Sequence, residues 1–339
     1  MKTTDFAECL ASYLTMYLPG HAGLSSDTIA SYRDTFKLIF KFAEHNQDIR
    51  IERIKLSDFN IDFVMAFLLW LENERGCSIS TRNQRLTAIR AFVKYARIKK
   101  PEYLYEAQKI LDFKSKKTPE TLASHLTPDC IKDIIDQPDR YDRYGRRDVA
   151  LLSLLYDSAA RVSEVCDLCV RDIRTHKPYA VTLMGKGRKP RTAPLMEETA
   201  LAVKKHIEDN YPNPADKPDY PLFFNHQRNK LTRAGVAYIL KKYCKKARQD
   251  NSSIPSKVSP HVMRHSKAMH LLQAGVNLVY IRDFLGHAQV ETTEIYAKID
   301  TETKRREIEN AQIRIDPDLP DWAKDKSLMA LLTDICGDD

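Results

Sequence analysis

The sequence lacks any apolar run close to the roughly 20 residues that a membrane-spanning helix requires. Its N-terminus contains no apolar block of the kind found in secretory signal peptides. The seven cysteines are odd in number and widely scattered, which does not suit a disulfide framework. These absences predict a cytoplasmic protein with reduced thiols and no membrane partner.

The sequence also lacks a complete metal-binding motif. Cys166 and Cys169 have the spacing of one zinc-ligand pair, but no second pair matches them. His261 and His265 are four residues apart, yet the zinc-protease helix motif would require glutamate where Val262 stands. We therefore expect neither a metal site nor another cofactor.

Size and charge limit the class of protein. The chain has 339 residues, enough for two domains, and 43% of them are hydrophobic, which supports packed interiors. The formal net charge is +8 and the isoelectric point about 9.0. A basic protein of this kind often meets a polyanion, and nucleic acid is the commonest. Charge alone is weak evidence, because many basic proteins bind no DNA.

Apolar residues at helical spacing dominate residues 1–112 and predict a first domain of four helices. One apolar stripe closes before Gly76, and Ser80 or Thr81 is expected to cap the helix that follows. Residues 113–121 are charged, poor in apolar side chains and interrupted by proline. We interpret them as an interdomain linker.

A second domain is expected over residues 122–310, followed by a tail at 311–339 that contacts other subunits. Residues 149–156 read as a buried helix. The run at 179–184 is apolar and β-branched, which predicts a strand, and residues 191–195 predict its return partner at a sheet edge. The fold class is thus mainly α-helical with a small β-hairpin or sheet (α+β).

The second domain also contains residues suited to cleaving a phosphodiester without a metal. Arg161 stands in Ala-Arg-Val-Ser-Glu, and Arg264 in His-Val-Met-Arg-His. Two guanidinium groups can hold the non-bridging oxygens of a phosphate and stabilise the charge of the transition state. The alternative is an ordinary salt bridge or a simple phosphate contact.

A side-chain nucleophile is also available. Tyr296 follows the histidine motifs, and its phenol, with a pKa of about 10, needs help to lose its proton. Most tyrosines serve in packing, and only its place after those motifs favours Tyr296. Tyr280 is the nearest rival, but it lies in an apolar stretch with Ile281 and is expected to pack.

Three further side chains complete the chemistry. Lys186, between two glycines on a turn, is suited to give a proton to the leaving 5′ oxygen, although a solvated hairpin tip is the alternative. His261 is a candidate base or phosphate ligand, and His287 a candidate hydrogen-bond donor. The neighbouring Arg188 and Lys189 are expected to contact the DNA backbone.

This ordered set resembles the tyrosine recombinase (phage integrase) family. The individual motifs are modest, but their order is highly specific. The last two thirds of the chain resemble the catalytic domain of the family, and the helical N-terminal part resembles its SAM-like core-binding domain. The matching residues are Arg161, Lys186, His261, Arg264, His287 and Tyr296.

The resemblance implies a mechanism. Tyr296 would attack the phosphate and form a 3′-phosphotyrosyl link, which the 5′ hydroxyl of a partner strand then resolves, without ATP or metal. Glu164 resembles a residue that braces the site, and His265 a structural neighbour of Arg264. Ala160 stands where many relatives carry glycine, which is a mild departure.

The resemblance also implies partners and architecture. Little sequence precedes the first domain, which favours the two-domain layout of Xer-type recombinases and of many integrases and transposases from mobile elements. The expected partner is double-stranded DNA at a specific site, bound in the nucleoid. A homotetramer would form on two synapsed duplexes, and the free protein would be monomeric or weakly associated.

One helix of the first domain carries a row of basic residues expected to meet DNA phosphates. A charged helix face is often only solvated, so this prediction depends on the resemblance. Two other functions stay open, namely a type IB topoisomerase that rejoins the same strand, and an inert DNA-binding protein derived from the family. The basic residues are Arg82, Arg85, Arg90, Lys94, Arg97 and Lys99.

Overall fold

The computed structural model describes residues 3–118, 125–185, 189–211, 218–286 and 326–335. The chain divides into two compact units, Met1–Thr121 and Leu122–Asp339. Both are built mainly from α-helices, with one small antiparallel sheet in the second, which confirms the fold class predicted from the sequence. Within these ranges, no helix is long and apolar enough to cross a membrane.

The described part of the first unit has five α-helices, where the sequence predicts four. A π-helical stretch, Tyr13–His21, separates the first two of these helices and was not predicted. Phe92 lies at the centre of the core and packs edge-on against Phe6 and Phe36, with ring centroids 5.5 and 5.1 Å apart. The helices are α1 (Asp5–Ser12), α2 (Ser26–Asn46), α3 (Ile61–Asn73), α4 (Ile79–Lys99) and α5 (Leu104–Asp112).

The predicted cap of α4 was wrong by two or three residues. Ser78 is the N-cap, and its hydroxyl accepts the backbone N–H of Thr81 at 3.2 Å. Ser80 and Thr81 already lie within the helix. Three hydroxyl residues in a row of four offer similar local signals, and only the extended backbone at Ser78 separates the cap from the rest.

Residues 113–118, the first part of the predicted linker, are held against the first unit. Asn83 on α4 exchanges two hydrogen bonds with the backbone of Lys116, at 2.8 and 3.2 Å. The ammonium of Lys116 also lies 2.6 Å from Glu72 on α3. This part of the chain therefore packs on the helices that precede it.

The second unit is organised around a buried helix, α7, as the sequence predicts. Thr127 caps the helix before it and accepts the N–H of Cys130, and Pro128 occupies the first helical position. The helices are α6 (Pro128–Asp136), α7 (Arg143–Asp157), α8 (Val162–Asp167), α9 (Glu197–Asn210), α10 (Arg233–Asp250), α11 (Pro260–Gln273), α12 (Leu278–Leu285) and α13 (Lys326–Ile335).

The sheet contains the predicted hairpin and one short additional strand. Strands β2 (Ala180–Met184) and β3 (Pro190–Pro194) pair antiparallel, with Val181 opposite Ala193. Strand β1 (Ile173–Arg174) adds on the other side of β2. β1 was not predicted, since two residues are too few to show a period.

A small apolar cluster brings together the parts of this unit that carry the motif residues. Ala159, just after α7, packs with Ala268 and Met269 of α11 and with Ile281 and Leu285 of α12. All five are almost completely buried. The end of α7 and the two later helices are thereby fixed relative to each other.

Candidate active site

The turn between α7 and α8 presents Arg161. Ala159 has a left-handed backbone (φ +46°), which is rare for a residue with a side chain. Arg161 follows as the N-cap residue of α8, and its backbone N–H donates to the carboxylate of Glu164 at 2.8 Å. A glycine would therefore suit the backbone at Ala159, the second residue before Arg161.

Glu164 is a buried carboxylate held by two arginines. Its Oε1 accepts one bond from Arg161 and one from Arg191, both at 2.8 Å, and its Oε2 accepts a second bond from Arg191 at 2.7 Å. Burial alone would raise the pKa of Glu164, but the hydrogen bonds and charges of Arg191 and Arg161 outweigh it and lower the pKa below its usual range. Glu164 is therefore ionised at neutral pH.

Arg264 on α11 is the largest of the fully buried side chains in the described residues. Its guanidinium donates to the carbonyl of Ala159 and to that of Leu285, both at 2.5 Å. It therefore links the turn before Arg161 to the end of α12. Of the two arginines predicted to hold a phosphate, Arg161 is the one that reaches solvent, with 36% of its side chain exposed.

The end of α12 is the point on which three arginines converge. Arg191 donates to the carbonyl of Phe284 at 3.2 Å, Arg264 to that of Leu285, and Arg161 to that of Gly286 at 3.3 Å. Gly286 ends the helix in the left-handed conformation (φ +63°). The three guanidiniums come from α11, from β3 and from the turn before α8, so this helix end is fixed from three directions.

The first turn of α11 carries two histidines in edge-to-face contact. The rings of His261 and His265 lie 4.2 Å apart between centroids, at 76°. Although His261 reaches solvent, burial by its surroundings, followed by the charges of Arg264 and Arg161, lowers its pKa. Burial, followed by the charges of His261 and Arg264, lowers the pKa of His265 to about 4. At neutral pH both rings are uncharged, and His261 can accept a proton.

Four of the predicted site residues lie outside the described residues: Lys186, Arg188, His287 and Tyr296. Gly185 and Lys189, on either side of residues 186–188, and Gly286, before His287, are described. Gly185 donates to the carbonyl of Lys189 at 2.9 Å and closes the hairpin on either side of Lys186, and Lys189 is exposed. Gly286, at the three-arginine turn, directly precedes His287.

The chain is similar in sequence to known proteins over both of its units. The model of the phage integrase family matches residues 124–303, and that of the phage integrase N-terminal SAM-like domain matches residues 11–100. The integrase/recombinase y4rC of Sinorhizobium fredii is 35% identical over 87% of this chain and 88% of its own length. Tyrosine recombinase XerA of Pyrococcus horikoshii is 31% identical over 91% and 94%, respectively.

The chain belongs to the tyrosine recombinase (phage integrase) family. Solved structures support the same fold. The integrase of transposon Tn1549, in complex with circular intermediate DNA, has a TM-score of 0.66 at 19% identity, over 90% of this chain and 99% of its own. The XerH recombinase bound to its difH substrate has a TM-score of 0.64 at 21% identity, over 91% and 88%.

In this tyrosine recombinase Tyr280, the alternative candidate for the nucleophile, does not pack in the core. The expectation that it would pack was wrong. The side chain of Tyr280 is 72% exposed, and its neighbour Val279 is 46% exposed. Ile281 and Leu285 occupy the buried side of α12 instead. An eight-residue helix has room for only one buried stripe, and Tyr280 lies off it.

The prediction that the basic residues of α4 contact DNA also needs correction. Arg82 was expected on an exposed face, but it is only 3% exposed and pairs with Glu72 at 3.1 Å. Arg85 is half-buried and donates to Ser31 and Thr35 on α2. These two side chains tie α4 to its neighbouring helices.

The remaining basic residues of α4 lie further out. Arg90 and Arg97 are half-buried and make single long hydrogen bonds, to Ser115 at 3.3 Å and to Gln108 at 3.5 Å. Lys94 and Lys99 are exposed. The basic side chains of α4 that are available to a partner therefore lie after its first two turns.

The structure adds one residue to the site that sequence reasoning missed, Arg191. It stands in the return strand, where the sequence signals only an edge strand with prolines. A charge two residues after Lys189 looks like one more backbone contact, and nothing local distinguishes it. Among the described residues no group of three metal-binding side chains is close together, and Cys169 lies beyond the end of the helix that contains Cys166.

Proposed function

We propose that this tyrosine recombinase cleaves and rejoins DNA at a specific site through a 3′-phosphotyrosyl link to Tyr296. The observation that supports it is the cluster around Glu164 and the end of α12. Arg161 and Arg191 bind the carboxylate of Glu164, and Arg264 binds the carbonyl of Leu285 at the helix end. Three positive charges therefore stand against one negative charge, and uncharged His261 lies beside them. A site of this composition suits a phosphodiester.

The proposed reaction follows from these charges. Arg161 holds a non-bridging oxygen of the phosphate, and Arg264 stabilises the added negative charge from its buried position. His261 takes the phenol proton as Tyr296 forms its bond to phosphorus, and His287 donates to a second oxygen. The bond from phosphorus to the 5′ oxygen breaks, and Lys186 gives that oxygen its proton.

Rejoining reverses these steps with a different strand. The 5′ hydroxyl of the partner strand attacks the phosphotyrosyl bond, and the tyrosine oxygen leaves with a proton. The number of phosphoester bonds is unchanged, so the cycle needs no ATP, and we propose that it needs no metal.

The proposed partner is double-stranded DNA, supported by the DNA-bound XerH and Tn1549 structures. We propose that Lys94, Lys99 and Lys189, all exposed, contact its phosphates. We also propose a homotetramer on synapsed DNA, with the C-terminal tail as a subunit contact. Exposed apolar side chains of α13 support this role, namely Met329 (39%), Leu331 (56%) and Leu332 (37%).

The first test compares Tyr296→Phe with Tyr280→Phe on nicked duplexes from the flanks of the native gene. The nick lets the 5′ fragment diffuse away and traps the covalent intermediate. Wild type and Tyr280→Phe should form a denaturant-resistant DNA adduct in EDTA, whereas Tyr296→Phe should bind but form none. The Tyr280 variant is a suitable control, because it removes the same phenol oxygen from an exposed tyrosine of the same unit.

Other outcomes would decide against the proposal. Cleavage by Tyr296→Phe would exclude this tyrosine as the nucleophile, and a requirement for zinc or magnesium would exclude the metal-free route. Supercoil relaxation without strand exchange would favour a topoisomerase. Salt-sensitive DNA binding without an adduct would favour an inert DNA-binding protein.

A further inference from the structure

We propose that Arg191 is a positioning residue of this active site: it holds Glu164 and the end of α12, so that Arg161 stays aligned and keeps its charge for the scissile phosphate. The inference rests on the proposed function, which assigns Arg161 to the phosphate. It adds a residue that does not touch DNA.

Arg191 changes the balance of charge at Glu164. Glu164 accepts four hydrogen bonds, from the backbone and side chain of Arg161 and from two nitrogens of Arg191. If Glu164 paired with Arg161 alone, the carboxylate would neutralise the most exposed of the three arginines described at this site. Because Arg191 supplies a second positive charge in fork geometry, Arg161 retains an excess charge for an incoming anion.

Arg161 is more accessible to solvent than Arg191. The side chain of Arg191 is 12% exposed, and each of its three nitrogens already donates to an acceptor in the protein. Arg161 is 36% exposed, and its bond to the carbonyl of Gly286 is long, at 3.3 Å. Arg161 is therefore the side chain placed to exchange a protein contact for a phosphate, and Arg191 acts through it.

Arg191 also contacts the end of α12. Besides its bond to the carbonyl of Phe284, Arg191 lies directly against Gly286, where an added Cβ would come 2.9 Å from the arginine Cδ. The stem of Arg191 thus fills the space beside this glycine. Arg191 thereby contacts the last described residue before His287.

Lysine could not replace Arg191 in this role. The two bonds to Glu164 and the bond to Phe284 leave in three directions from one planar group. A lysine ammonium is a single point at the end of a flexible stem and cannot make the paired contact. Arg191→Lys therefore keeps the positive charge and removes the paired hydrogen bonds, so it tests the two contributions separately.

The experiment uses full-length protein and the nicked DNA described above. The variants are Arg191→Met, Arg191→Lys, and Arg191→Met combined with Glu164→Gln. Arg146→Met is the control, because Arg146 also pairs with an acidic residue (Asp209) and is mostly buried, at 28% exposed against 12% for Arg191, but contacts none of the site residues. Single-turnover adduct formation is measured at saturating protein, and DNA affinity is measured in the Tyr296→Phe background.

We expect Arg191→Met to slow adduct formation on the order of 100-fold, the typical result of misplacing a catalytic group. DNA affinity should stay within about threefold of the wild-type value, since Arg191 does not reach the DNA and contacts between exposed basic residues and phosphates govern non-specific affinity. Arg191→Lys should fall between Met and wild type. Adding Glu164→Gln to Arg191→Met should raise the rate of adduct formation about tenfold above that of Arg191→Met, because the carboxylate that would neutralise Arg161 is removed. The Arg146 control should cleave as wild type does.

A parallel measurement does not depend on cleavage. Hydrogen exchange of peptides from residues 278–286 should be at least about tenfold faster in Arg191→Met than in wild type or the Arg146 control, since the helix end has lost one of its three anchors. If wild type forms no adduct, the proposed function fails, and this exchange result alone decides whether Arg191 holds α12.

Several results would overturn the proposal. They are an Arg191→Met variant that cleaves at the wild-type rate, a loss explained fully by weaker DNA binding, and a double variant slower than Arg191→Met. Unchanged hydrogen exchange at the end of α12 would overturn it as well, whatever the outcome with DNA.

Discussion

Replacing Gly286 with alanine should disturb the active site through two separate physical effects. The residue ends α12 with φ +63°, a conformation that costs an alanine about 1–2 kcal/mol relative to glycine. Its added Cβ would also come 2.9 Å from Cδ and 3.2 Å from Nε of Arg191, closer than real Cβ atoms ordinarily approach. We expect both effects to lower the free energy of unfolding.

The contact should dominate because Arg191 cannot easily move. Its guanidinium is tied to Glu164 and to Phe284, so the stem cannot swing away without breaking hydrogen bonds. Overpacking of a fixed site costs about 1–3 kcal/mol. The lower entropy of the unfolded alanine chain returns about 0.4–1 kcal/mol. The sum is a loss of about 1–5 kcal/mol for Gly286→Ala, with a midpoint of about 3 kcal/mol.

Gly275 provides a matched control within the same unit. It follows α11 with φ +80°, but an added Cβ there would meet nothing within 4 Å. Gly275→Ala therefore carries the backbone cost without the contact and should lose only about 1 kcal/mol. The difference between the two variants isolates the packing against Arg191.

The assay should report the second unit separately, because a chain with two units need not unfold in one transition. Urea-dependent hydrogen exchange of peptides from α7, at the centre of that unit, supplies the free energy. Equal losses in the two variants would refute the close contact with Arg191. A Gly286→Ala protein as stable as wild type would refute the left-handed helix end itself.

The remaining predictions test buried ionisable groups against exposed ones. Arg82→Met should destabilise the first unit by about 2 kcal/mol, seen as an earlier urea transition, and leave DNA affinity unchanged, because Arg82 is buried on Glu72. Lys94→Ala should weaken DNA binding at low salt and reduce the slope of log affinity against log salt by about 1, at unchanged stability. The pKa of buried His206 is lowered from 6.5 to about 4, so the unfolded chain binds the proton first and stability falls as pH drops through that range. Relative to its value at pH 7, wild type should lose about 3 kcal/mol more than His206→Gln on reaching pH 4, in urea titrations at both pH values.

Local patterns in the sequence were sufficient for most of the elements. The cap at Thr127, the buried helix α7 and the hairpin follow from side-chain period, proline position and β-branched residues, all of which act over a few neighbours. Where several residues gave the same signal, as at Ser78 and Thr81, the prediction was displaced. Where an element was two residues long, as at β1, no signal existed.

The order of motifs in the sequence by itself determined the family, and with it the candidate residues from Arg161 to Tyr296. It did not determine which charges face solvent. Arg82 and Lys94 look alike in the sequence, and only the packing of α4 buries one and exposes the other. A long basic side chain has no intrinsic preference strong enough to decide this without its neighbours.

Only the tertiary structure decided how the site is held together. The bond from Arg161 to Gly286 spans 125 residues, and that from Arg264 to Ala159 spans 105. No local period encodes a hydrogen bond between groups so far apart in the chain, since it depends on how α7, α11 and α12 pack through their shared apolar cluster. Arg191 is the clearest case: its type and position in β3 are visible in the sequence, but its bonds to Glu164 and to the end of α12 exist only once the helices have met.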